Sequence, residues 1–194
     1  MKIKEVKFYK SVDTIDEKVF FDERKEIVFI GRSNVGKSSL MNAIFNTKDL
    51  VHTSSKPGKT RRANIFLVNN KYYFTDLPGY GFAKMGKEKM EKIDGLISWY
   101  LEERKFTIKQ VVLIIDSKIG AQESDIAMYK FLEDLELPKC IILSKVDRLS
   151  NNEIKKSLEH SEEIFFGQKI TPISTQKNIG IRELLLLLGE TLKN

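Results

Sequence analysis

The apolar run Ile27-Val28-Phe29-Ile30 passes without a break into GRSNVGKSS, residues 31 to 39. From Lys37 the chain continues as KSSLMNAIFN, ending at Asn46. Four consecutive large apolar residues read as a strand buried on both faces, and the segment after the loop carries a helical pattern. A buried strand that turns through a glycine loop into a helix points to an α/β architecture. The loop fits G-x-x-x-x-G-K-[ST] through Gly31, Gly36, Lys37 and Ser38. Its glycines let the backbone fold back so that N–H groups converge on phosphate oxygens, at a helix N-terminus that favours an anion. Lys37 would reach the β- and γ-phosphates, the Ser38 hydroxyl would ligate Mg²⁺, and Arg32, Ser33, Asn34 and Val35 complete the cradle. A loop that touches only phosphates does not choose between ATP and GTP.

Further strands are expected at Ala63–Val68, Tyr72–Thr75, Val111–Asp116, Cys140–Ser144 and Lys169–Ile173, in addition to Glu26–Ile30. Helical patterns fall at Lys87–Glu103, Ser124–Leu135, Asn152–Phe165 and Ile181–Leu192, in addition to Lys37–Asn46. This alternation predicts a three-layer domain, a six-stranded mostly parallel sheet with helices on both faces. Only Asn69-Asn70-Lys71 separates Ala63–Val68 from Tyr72–Thr75, a hairpin-length connection that requires one antiparallel strand. No repeat, low-complexity tract or linker interrupts the chain. Residues 1–194 read as one domain, with residues 1–20 as an N-terminal extension of mixed pattern.

With 194 residues, 41% hydrophobic and 31% charged, the chain has the size and composition of a globular domain. No apolar run approaches the ~20 residues of a membrane span; the leucines from Leu184 to Leu188 belong to an amphipathic helix pattern. MKIKEVKFYK lacks a signal-peptide core, so a cytoplasmic protein is expected. The single cysteine, Cys140, reads as a small core residue, and His52 and His160 lack metal-ligand spacing. Of the net charge of +6, residues 56 to 62 (KPGKTRR) carry four positive charges and no negative one. Residues 84 to 92 add Lys84, Lys87, Lys89 and Lys92 against two glutamates, with Lys71 grouped beside them. Charge alone allows either a solvated surface or a basic face for RNA.

Ligands of open α/β sheets bind at the carboxyl ends of the strands, so the residues after each strand matter most. After Tyr72–Thr75 comes Asp76-Leu77-Pro78-Gly79, the pattern D-x-x-G. Its carboxylate can hold Mg²⁺ through water, and the Gly79 amide can donate to a γ-phosphate. A loop held only by that phosphate is released after hydrolysis. After Cys140–Leu143 comes Ser144-Lys145-Val146-Asp147, a variant of [NT]-K-x-D. Asp147 would accept hydrogen bonds from N1–H and the 2-amino group of guanine, which adenine cannot supply. The Lys145 stem would pack along the base. Ser144 stands where Asn or Thr is usual, which predicts a weaker tether to the phosphate loop. After Lys169–Ile173 comes Ser174-Thr175-Gln176, which resembles a loop whose backbone N–H binds guanine O6; Ile173, Ser174 and Thr175 are the candidate contacts. Four motifs in order at strand ends point to GTP or GDP.

On GRSNVGKSSL, TSSKPGKTRRANIF and DLPGYGFAK, the chain resembles the EngB family of ribosome-biogenesis GTP-binding proteins, from about residue 20 to 190. The resemblance implies a P-loop GTPase domain with Mg²⁺ and, as partners, the large ribosomal subunit and its rRNA; no membrane partner is expected. It also selects Thr60, within Gly58-Lys59-Thr60-Arg61-Arg62, over Thr47 and Thr53 as a Mg²⁺ contact. Lys37, Thr60, Gly79 and Asn34 become the candidates for catalytic roles. Tyr80 stands where many GTPases carry a water-orienting glutamine, so slow intrinsic hydrolysis is expected. Asn34 has two readings, local loop hydrogen bonds or, as in related GTPases, a hold on K⁺ near the phosphates. A nucleotide kinase is disfavoured by SKVD and by the lack of an obvious second-substrate site. A regulatory GTPase acting on a membrane or a protein partner is the alternative.

Overall fold

The computed structural model describes residues 1–13, 15, 22–47, 50–51, 62–81 and 86–193. In chain order the elements are β1 (Val6–Val12), β2 (Glu26–Gly31), α1 (Lys37–Phe45), β3 (Ala63–Val68), β4 (Tyr72–Asp76) and α2 (Lys87–Glu103). They continue as β5 (Ile108–Asp116), α3 (Glu123–Asp134), β6 (Lys139–Ser144), α4 (Asn151–Ile164), β7 (Ile170–Pro172) and α5 (Ile181–Thr191). Among the described residues the sheet has seven strands in the order β1-β3-β4-β2-β5-β6-β7, where six were expected. The extra strand is β1, in the stretch read as an N-terminal extension. It occupies an edge, and three of its seven residues are exposed. Its register also shifts between Phe8, opposite Phe66, and Lys10, opposite Ile65. A bulge of this kind breaks the two-residue period by which strands are recognised.

As the hairpin spacing requires, β3 runs antiparallel to β4; it is antiparallel to β1 as well, and the pairs from β4 through β2, β5 and β6 to β7 are parallel. Asn69 and Asn70 turn the β3–β4 hairpin in the left-handed region, which asparagine tolerates. Strand β2 is buried along its whole length because helices cover both faces of the sheet. Val28 and Ile30 pack with Leu96, Tyr100 and Leu132 from α2 and α3. Ile27 and Phe29 pack with Leu40, Ile44, Leu184 and Leu188 from α1 and α5. Cys140 lies in that second layer, its thiol pushed up to about 12 by burial.

At the amino end of β2, fully buried Glu26 accepts hydrogen bonds from Arg104 Nε (2.9 Å), Thr75 Oγ1 (2.5 Å) and the Tyr100 hydroxyl. A buried carboxylate persists only when paired in this way. The cluster fixes the carboxyl end of α2 to the start of β2 and, through Thr75, to β4 one residue before Asp76.

Candidate functional site

Strand β2 delivers the first loop to the carboxyl edge of the sheet. A Cβ on Gly31 would stand 2.5 Å from the carbonyl oxygen of Ile114, so only glycine lets β2 and β5 close at this point. Gly36 caps α1 with φ 104°, and Asn34 is exposed at φ 64°. The first turn of α1 carries no acidic residue, leaving its amides and dipole to an anion. Ser38, half-buried, sits in that turn. Lys37 is buried, and its amine meets the carboxylate of Asp76, which is 1% exposed at the end of β4. A Cβ on Gly79 would fall 2.6 Å from Ser33 Oγ and 3.0 Å from Ser33 N. The D-x-x-G segment therefore lies directly on the first loop. Ser33 N also donates to Tyr80 O at 3.2 Å, and buried Leu77 donates its amide to Phe29 O at 3.1 Å.

Strand β6 delivers the base-reading candidates. Ser144 Oγ donates to Val35 O at 2.6 Å, so its short hydroxyl does reach the first loop. Lys145, at φ 60°, donates to Asn34 O at 2.5 Å and to Asp116 Oδ2 at 2.7 Å. A Cβ on Gly36 would lie 3.7 Å from Lys145 Cε, so the lysine stem passes over the loop. Asp147 lies in the 3₁₀ turn Val146–Arg148, and its Oδ1 accepts from Ser174 Oγ at 2.6 Å. Val146 N bonds Ile173 O at 3.2 Å, joining the two loops. The turn after Ile173 closes on itself, with Ser174 and Ile179 exchanging two backbone bonds of 3.1 and 2.9 Å. Gly180 is required where it stands: at φ 73°, its Cβ would be 2.3 Å from Pro172 O.

The structure thus brings together Gly31 to Ser38, Asp76 to Gly79, Ser144 to Asp147 and Ile173 to Thr175. Gly58, Lys59, Thr60 and Arg61 lie outside the described residues, as do Thr53, His52 and Lys84. Arg62 opens β3 and meets Asp13 at 2.9 Å, two strands away from β2. Thr47 donates its amide to Asn42 O at 3.1 Å, at the far end of α1 from the loop.

Two residues were missed, Asp116 and Asp125. Asp116 orients Lys145, and its signal was a carboxylate as the last residue of a strand. Buried Tyr80 donates its hydroxyl to Asp125 at 2.8 Å, and Asp125 also accepts from Gln122 N at 2.9 Å, closing the first turn of α3. Burial raises the Asp125 carboxyl above its usual range, against the hydrogen bonds from Gln122 and Tyr80 and the charge of Arg32. Burial likewise raises the Tyr80 phenol, reinforced by Asp125. The Tyr80–Asp125 pair joins residues 45 apart, which no local pattern reveals. A cleft of ≈ 320 Å³ runs beside the first loop, lined by Arg32, Asn34, Asp116, Asp125, Lys145 and Arg148.

Residues 26–145 match the family model of a 50S ribosome-binding GTPase. A probable GTP-binding protein EngB of Petrotoga mobilis is 43% identical over 99% of this chain and 98% of its own length. A probable GTP-binding protein EngB of Kosmotoga olearia is 43% identical over 85% of this chain and 87% of its own. The crystal structure of a probable GTP-binding protein engB superimposes with a TM-score of 0.74 at 28% identity, covering 87% of this chain and 98% of that one.

Proposed function

Because the chain belongs to the EngB family of GTP-binding proteins, we propose that it is a GTP-hydrolysing switch acting in assembly of the large ribosomal subunit. The observation that carries the guanine reading is Asp147, held by Ser174 at 2.6 Å beside a lysine that spans the phosphate loop. One oxygen of Asp147 is engaged by the serine, and the carboxylate keeps acceptor capacity for N1–H and the 2-amino group. The description of the matched family as ribosome-binding supports the choice of partner.

The chain's own groups suit each task. The amides of Gly31 to Ser38 bind phosphate oxygens, and Lys37 transfers its amine from Asp76 to the β- and γ-phosphates. The Gly79 amide, packed on Ser33, donates to the γ-phosphate. Ser38, Asp76 and Thr60 would hold Mg²⁺, a hard cation suited to hydroxyl and carboxylate oxygens. Asp76 fits that role because it is a buried carboxylate that needs a cation beside it, a need met here by Lys37. Bound Mg²⁺ supplies charge neutralisation at the β- and γ-phosphates.

Slow intrinsic hydrolysis follows from Tyr80, whose hydroxyl is committed to Asp125 and which cannot orient water as a glutamine does. Asn34 either serves only the loop or holds K⁺ against the phosphates. A higher turnover in K⁺ than in Na⁺, lost in Asn34→Ala, is the outcome that supports K⁺; equal turnover rejects it. The expected compartment is the cytoplasm. No helix among the described residues is long and apolar enough to cross a membrane.

The test is co-sedimentation with purified ribosomal subunits in GDP and in a non-hydrolysable GTP analogue. Selective association with the large subunit in the GTP-like state is the result expected. Absence of association in either state, with guanine-nucleotide binding intact, would turn the assignment to a membrane or protein partner.

A further inference from the structure

Strand β1 carries a charge pattern that the nucleotide site does not use. Residues 1 to 12 contain Lys2, Lys4, Lys7 and Lys10 against Glu5 alone, half of the net +6 of the chain in a stretch of twelve residues. Lys2, Lys4 and Lys7 are exposed. Phe8 is 54% and Tyr9 47% exposed, unusual for large apolar rings. As successive strand residues, these rings point to opposite sides of the sheet edge. Phe8 meets Phe66 on the α1/α5 side at 5.8 Å, and Tyr9 meets Tyr73 on the α2/α3 side at 5.1 Å. Lys10 Nζ lies 5.4 Å from the Tyr9 ring centroid.

The backbone beneath is fixed. Asn69, in the β3–β4 hairpin, accepts from Lys4 N at 2.8 Å and Glu5 N at 3.2 Å and donates to Lys2 O at 3.0 Å. Glu5 itself is engaged by Lys7 at 2.6 Å and Asn70 at 2.8 Å. At its other end, Val12 pairs with Ala63, the residue after the basic segment 56 to 62. β1 is parallel in direction to β2 and β4, so its carboxyl end lies at the nucleotide edge of the sheet. Arg62 meets Asp13 at 2.9 Å at that corner, and β1 carries the charge down the outer edge.

We infer that this edge is an RNA-contact track, taking a single-stranded or looped segment whose phosphates run along the lysines and whose bases stack on Phe8 and Tyr9. Interleaved cations and exposed aromatic rings are the chemistry that binds unpaired bases. The inference takes its RNA target from the ribosome-directed reading. It differs in placing a contact on a strand anchored by backbone pairing, so affinity here does not depend on GDP or GTP.

The experiment is fluorescence anisotropy with a labelled 15-nucleotide single-stranded RNA of mixed sequence, a matched RNA duplex, and a polyglutamate competitor. The GDP-bound full chain is compared with K2Q/K4Q/K7Q and F8A/Y9A, each checked for unchanged GDP affinity, and with K2R/K4R/K7R as the charge-conserving control. Three phosphate contacts at ~0.7 each predict that the lysine variant flattens the log–log salt slope by about two, and that the arginine variant restores it. F8A/Y9A should weaken single-strand binding by about tenfold or more with the slope unchanged. Unchanged RNA affinity in K2Q/K4Q/K7Q overturns the proposal. So does equal binding of the duplex with no effect of F8A/Y9A, or displacement by polyglutamate at equal charge, which would assign the edge to an acidic protein. If the variants lose RNA binding while the wild type ignores ribosomal subunits, the track stands and the assembly reading falls. Nucleotide-dependent subunit binding with RNA affinity indifferent to β1 gives the reverse.

Discussion

At the base end of the candidate site, Ser144, Lys145 and Asp147 already hold hydrogen-bond partners within the protein, to Val35, Asn34, Asp116 and Ser174. At the phosphate end, the amine of Lys37 rests on Asp76, the two groups that the proposed ligand and its metal would each engage. On the proposed reading a guanine would meet groups already held in place in the first region, so little of its binding energy would be lost to ordering. A triphosphate entering the second must replace a buried ion pair. The contrast teaches why the two ends tolerate substitution differently. Base recognition is a matter of donors and acceptors held in place, whereas the phosphate end also bears on the stability of the empty protein.

The largest effect expected is on base choice. In Asp147→Asn an amide donor faces the 2-amino group of guanine, and GDP affinity should fall by a factor on the order of 10⁴. Xanthosine diphosphate, with a carbonyl at that position, should gain, and competition between the two nucleotides reads the exchange. Folding stability should change little, since Asp147 is not enclosed in the core.

Lys37→Ala should do the opposite in the nucleotide-free protein. Leaving Asp76 buried and unpaired costs about 3–5 kcal/mol, measurable by urea denaturation. Lys37→Ala/Asp76→Asn should recover most of that stability and none of the nucleotide affinity. If the double variant stays as unstable as the single one, the ion pair is not what Lys37 contributes.

Smaller effects belong to the ties. Ser174→Ala removes a hydrogen bond to a carboxylate, and GDP should bind roughly tenfold more weakly. Ser144→Ala removes a neutral bond to Val35 O, and a loss of only a few-fold is expected. A reversal of that order, seen by calorimetry, would mean that the loop tether matters more than the orientation of Asp147.

Much of this was legible because each motif sits where a strand ends, and strand ends follow from local pattern. The boundaries of α2, Lys87–Glu103, and of β3, Ala63–Val68, come directly from the apolar period and the flanking turns. The edge strand β1 was not legible, since its lysines and exposed rings leave no continuous buried face. Nor were the side-chain ties. Lys145 with Asp116, Ser174 with Asp147 and Tyr80 with Asp125 join residues 27 to 45 positions apart, and they exist only once parallel strands have aligned their ends. Sequence assigned the loop at Ser174 a backbone contact with the base; that the Ser174 hydroxyl also holds the carboxylate proposed to read it was not legible.

The most direct measurement is a calorimetric titration of the nucleotide-free wild-type protein with GDP and with ADP in Mg²⁺. A site read by Asp147 should bind ADP at least about 10⁴-fold more weakly than GDP, because adenine leaves the carboxylate without its donors. ADP binding within tenfold of GDP would contradict the guanine-reading role of Asp147 and, with it, the switch built upon that role.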